Sequence, residues 1–147
     1  MAISNGVNPT FPGDVTSQTG IVSEGTITAT GESSQSGVNI TNGGTVTQAT
    51  SAITGVTLDT DTGQITTFLQ NIAAAGNVVF TVTNSTVSAT SVVLASLASG
   101  SVGGTSYAVV SAVGTGTFDI TVSNINAATA ETGTLVINFA VIGGSAT

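Results

Sequence analysis

At 147 residues the chain has room for one hydrophobic core, and its 40% apolar content supports a folded body. It holds no Lys, Arg, His or Cys against seven carboxylates, for a formal net charge of −7. That excludes disulfides, thiol chemistry and side-chain ion pairs within the chain, and it argues against nucleic acid and anionic membranes, which are held through Lys and Arg.

The carboxylates are Asp14, Glu24, Glu32, Asp59, Asp61, Asp119 and Glu131. With no cationic side chain to pair them, the favoured partner is a protein surface offering neutral or basic groups. Acid–base, nucleophilic and metal-assisted catalysis draw chiefly on residue types missing here, so no enzyme, no cofactor and no metal is expected. No apolar run approaches the roughly 20 residues of a spanning helix. The opening MAISNGVNPTFPG has neither a basic region nor an apolar one, so no secretory leader is expected.

In chain order, residues 1–23 hold both prolines, Pro9 and Pro12, and only scattered apolar side chains. Such a stretch builds no core and reads as an extended arm. Residues 24–50 read as a β-prone linker or hairpin segment. GTITAT at 25–30 resembles GTVTQAT at 44–50, with a polar loop between, and Asn42-Gly43-Gly44 has hairpin-turn chemistry.

From Ser51 onward the sequence becomes denser and is expected to form the folded domain, residues 51–147. Residues 53–58 read as a strand, 59–63 as a turn and 64–69 as the returning strand. Asp59-Thr60-Asp61-Thr62-Gly63 faintly resembles a calcium loop, but its glycine comes one position early and Gln70 stands where a bidentate Glu belongs. A β-turn is the preferred reading. Residues 69–76 are the one helix-compatible piece.

The most informative stretch is 77–94. Val78, Phe80 and Val82 alternate with Val79, Thr81 and Thr83, Asn84-Ser85 breaks the run, and Val92-Val93-Leu94 follows. Tyr107, Val109, Ser111 and Val113 then alternate with Ala108, Val110 and Ala112. Phe118, Ile120 and Val122 do so with Asp119, Thr121 and Ser123. The last strand, 134–142, sets Leu135, Ile137, Phe139 and Val141 on one face and further apolar residues on the other. That is the pattern of inner-strand packing or of a core on one side and a subunit contact on the other. Seven or eight short strands with Gly- and Asn-rich turns predict an all-β, antiparallel β-sandwich with an extended N-terminal arm.

Several segments carry a resemblance: Gly55-Val56-Thr57-Leu58, Gly63-Gln64-Ile65-Thr66, Phe80-Thr81-Val82-Thr83-Asn84-Ser85, Ala89-Thr90-Ser91-Val92-Val93, Gly116-Thr117-Phe118-Asp119-Ile120, Asn124, Glu131 and Asn138-Phe139-Ala140-Val141-Ile142. Residues 54–142 resemble a β domain met in virion structural proteins of tailed bacteriophages, similar to capsid decoration (cement) proteins and to parts of head fibres. Ser91 departs from the pattern, standing where an acidic residue is expected. The resemblance implies a homotrimer on the outer surface of the viral capsid, made in the host cytoplasm and bound to the major capsid protein. It marks the fold more than any site. A clamp reaching over capsid subunits would use Phe11, Ile21 and Val22 as apolar anchors and Asp14 and Glu24 as partners of capsid Arg or Lys. The alternative is a receptor- or glycan-binding module of a tail fibre or adhesin, which would favour exposed aromatics; this chain has no Trp and one Tyr.

Overall fold

A computed structural model of the protein describes residues 43–143. The expected arm, with its five contact residues Phe11, Asp14, Ile21, Val22 and Glu24, and the strand expected at 25–30 lie outside the described residues.

Eight strands follow one another: β1 Gly43–Thr47, β2 Val56–Thr57, β3 Thr62–Thr66, β4 Asn77–Thr83, β5 Val92–Ser99, β6 Ser106–Gly114, β7 Thr117–Asn124 and β8 Val136–Ile142. They form two four-stranded sheets, β1-β3-β8-β5 and β2-β4-β7-β6. The expected β-sandwich is present, but its sheets are mixed: β1 with β3 and β2 with β4 are parallel, and the other neighbours are antiparallel.

The alternation read from the sequence sets which faces meet. On β7, Phe118, Ile120 and Val122 are buried, and on β4 Phe80 and Val82 are. From the opposite sheet β8 contributes Ile137, Phe139 and Val141. The Phe118 and Phe139 rings join the two sheets, centroids 5.3 Å apart and tilted by 56°, an edge-to-face type of aromatic contact. β8 is an inner strand, flanked by β3 and β5. Its outer side chains grade from half-buried Val136 and Ala140 to exposed Ile142.

Several local expectations are corrected. Gly43 and Gly44 belong to β1, not to a hairpin turn, and β1 joins the sandwich ahead of the expected start at Ser51. Gly63 lies in β3, where an ideal Cβ would stand 2.5 Å from the Phe139 ring, so glycine lets that ring reach the core. Residues 53–58 and 64–69 do not pair with each other: β2 and β3 lie in opposite sheets. Likewise β4 and β5 do not pair with each other but lie in opposite sheets. Among the described strands only β6 and β7 form a hairpin, turning at Gly116 with φ +77°. Where both strands of a pair carry an apolar face, burying those faces against one another satisfies them as well as pairing would. Residues 69–76 form no helix. They run beside residues 131–135, with the Ile72 N–H donating to the Glu131 carbonyl and the Glu131 N–H returning the bond, at 3.0 and 2.8 Å. On β6 a register shift between Val110 and Ala112 breaks the alternation. Val113 therefore turns inward with Ala108 and Val110, away from exposed Tyr107 and Val109.

Candidate functional site

The strand directions give the sandwich two unlike ends. At one, here called proximal, β1 begins at Gly43 and β8 ends at Ile142, beside residues 58–61, 84–91 and 115–116. At the distal end lie residues 67–76, 100–105 and 125–135. The described carboxylates divide between them.

Asp59, Asp61 and Asp119 occupy the proximal half. The Asp59 carboxylate accepts from the Ser85 N–H at 2.7 Å, and Asp119 from the Thr81 hydroxyl at 2.7 Å. The Asp61 carbonyl accepts from the Val141 N–H at 2.7 Å. Asp59 and Asp61 thus tie the β2–β3 connection to the 84–91 loop and to β8. The expected turn over 59–63 is corrected, because Thr62 and Gly63 already belong to β3 and these bonds reach residues far along the chain. Among the described residues no three acidic side chains gather into a set able to hold a metal ion. Asn84, fully buried, bonds back to its own chain: its Oδ1 accepts from the Thr86 N–H at 2.9 Å, while its Nδ2 donates to the Thr60 carbonyl at 2.8 Å. Ser91 closes the 88–91 turn as an acidic side chain would, its Oγ accepting from the Ser88 N–H at 3.0 Å.

The distal end is pinned by buried polar side chains. Glu131 is completely buried. Its Oε1 accepts from the N–H groups of Val102 and Gly133, at 2.7 and 2.8 Å, and its Oε2 from the hydroxyls of Ser101 and Ser106, the latter at 2.8 Å. Burial alone pushes this carboxyl upward, but the bonds from Ser101, Val102, Gly133 and Ser106 outweigh it and hold it below its ordinary value of 4.5. Asn124 works the same way: its Oδ1 accepts from Thr105 and Asn126, and its Nδ2 donates to the Thr129 carbonyl at 2.8 Å. Gln48 spans the Thr54 carbonyl and the Phe68 N–H, at 2.7 and 3.0 Å. Buried polar groups with every lone pair used lock loops into one arrangement. Glu131 and Asn124 therefore hold the loops of the distal end, and neither is presented to a ligand.

Sequence reasoning missed the burial of Gln48, Gln70, Asn124 and Glu131, because a polar residue in a loop ordinarily reads as solvated. Glycines were the available signal. Gly104 and Gly133 lie against Glu131, and a Cβ at Gly133 would lie 1.8 Å from the Gly100 carbonyl oxygen.

The outer face of the first sheet carries no charged side chain. Between the rows Gly43–Thr62–Ala140–Leu94 and Thr45–Gln64–Asn138–Ser96 runs a shallow trough. A groove of about 550 Å³ lies toward β1 and one of about 320 Å³ toward β5, meeting at Asn138 and Phe139. Gln64 donates to Asn138 at 3.1 Å along one wall. Compared with known proteins, the chain matches no family model, no curated protein and no solved structure.

Proposed function

We propose that the chain is a structural protein of a phage virion, a decoration (cement) protein that binds the outside of the head across subunit joints. The observation that carries the binding polarity is the placement of charge. Asp59, Asp61 and Asp119 all lie in the proximal half of the sandwich, where residues 1–42 join β1, and no Lys, Arg or His anywhere in the chain offsets them. An acidic end continuous with a segment that carries Asp14, Glu24 and Glu32 fits a partner surface rich in Arg or Lys. The head itself is proposed from the resemblance of residues 54–142 to phage virion domains, with a homotrimer as the assembly. Symmetric copies on a shell gain avidity without any one strong contact.

Deleting residues 1–23 tests the clamp. The full chain is expected to co-sediment with purified heads of the phage that encodes it. The truncated chain should bind about 100-fold more weakly, with an unchanged thermal transition. Equal co-sedimentation of the two would contradict the arm as anchor.

A further inference from the structure

Four strands end the two sheets, and three of them are poor templates for another strand. β2 is two residues long, while β5 and β6 each carry a register shift and stand beside one another across the sandwich. Short strands, bulges and covered edges are how sheets avoid pairing with other chains. Among the described residues β1 has none of these devices. Its five residues keep an unbroken register against β3 and include no proline and no charge.

The direction of its backbone groups follows from one bond. The Gln48 N–H donates to the Thr66 carbonyl at 2.9 Å. Alternate residues of a strand face the same side, so Gly44 and Val46 also face β3. Gly43, Thr45 and Thr47 then aim their N–H and C=O groups at the outer edge, where no described strand pairs with them. Beside that edge lies the 550 Å³ groove lined by Gly43–Thr45, Thr62–Gln64 and Asn138.

We propose that an extended segment of a partner polypeptide adds to β1 as a further strand and lays its alternate side chains in this groove. The proposal rests on the head-binding reading and identifies where on the sandwich the partner pairs. The size of the edge selects the occupant. A rigid second sandwich meeting five residues edge-on covers far less than the roughly 800 Å² per partner of a specific contact, whereas a flexible segment can use the edge and the groove together. Charge specifies it further. Edge and groove are uncharged, so the paired residues are neutral. Asp61 precedes Thr62, the register partner of Gly43, so a Lys or Arg belongs at the end of the segment beside Gly43.

Hydrogen–deuterium exchange of the full chain, free and bound to purified heads, tests this, together with the double variant Thr45→Pro/Thr47→Pro. Proline there removes two outward donors and spares the ladder to β3. On heads, exchange in the peptide covering residues 43–47 should slow about tenfold, and the double variant should bind about tenfold more weakly while keeping the native far-ultraviolet spectrum. Slow exchange already in the free monomer, slowing that follows protein concentration without heads, or binding without slowing would each overturn the proposal. The exchange measurement stands even if the proline variant misfolds. Failure of the native chain to bind heads at all would instead remove the head-binding reading, and this proposal with it.

Discussion

Replacing Glu131 with alanine is expected to destabilise the sandwich by roughly 3–5 kcal/mol, since it strands the Val102 and Gly133 N–H groups in a buried site at about 1–3 kcal/mol each. Glu131→Gln separates charge from shape. Its amide oxygen can keep both backbone donors, and its NH₂ can donate to Ser101 and Ser106 once those hydroxyls rotate. That loss should be smaller, about 1–2 kcal/mol, the difference between charge-assisted and neutral hydrogen bonds. The two variants also differ from the native chain in pH dependence. The folded carboxyl is held below its ordinary value, so its stabilisation is fully present above that value and is lost as pH falls through the folded value. Protonation would add a hydrogen to a group to which all four neighbours donate, so a Ser101 or Ser106 hydroxyl would have to give up its bond and rotate to accept it. Urea unfolding between pH 6 and 3 should show the native chain losing stability on acidification and Glu131→Gln losing less. Parallel pH curves would contradict this role for Glu131.

Gly133→Ala should cost about 4 kcal/mol or more, in the range reached only when backbone must move. The new Cβ would sit 1.8 Å from the Gly100 carbonyl oxygen and 2.9 Å from Glu131 Oε1. Neither neighbour is the end of a flexible side chain free to swing away, for Glu131 is bonded on both oxygens. The damage should therefore spread to the bonds around Glu131. Gly143→Ala is the matched control, because nothing lies within 4 Å of its Cβ position. Denaturant midpoints for the two variants give the comparison; a Gly133→Ala midpoint equal to that of Gly143→Ala would mean the two loops approach less closely than described.

Much of the architecture was legible in the sequence because period-two alternation is a local property. Phe80 and Val82 on β4, Phe118, Ile120 and Val122 on β7 and the Leu135-to-Val141 face all point inward as read. Strand partnership was less legible, because it depends on contacts between residues far apart. Nothing in residues 53–69 distinguishes a hairpin from two strands placed in opposite sheets, and nothing near Gly43 announces parallel pairing with β3. The shift on β6 escaped because Ser111 fits the alternation and only the structure shows the phase change after it.

The candidate surfaces divide in the same way. The turn chemistry of Asn84 could be read from residue type, since Asn side chains habitually bond nearby backbone, whereas the bond from Ser85 to Asp59 joins loops far apart in the chain. The Glu131 cluster could not, because Ser101, Ser106 and Glu131 meet only when the 100–105 and 125–135 loops pack together. The β1 edge was hidden for the opposite reason. Its two glycines resemble a turn, and its place at the end of the sheet, with no further described strand beside it, is visible only in the structure.

The proposal of a protein seated on a phage head is tested most directly by cryo-electron microscopy of the virion expected to carry it. Density for the sandwich at three-fold and quasi-three-fold positions outside the head, with its proximal end toward the shell, is the predicted result. Density confined to the tail tip or fibres would contradict it and turn attention to receptor binding.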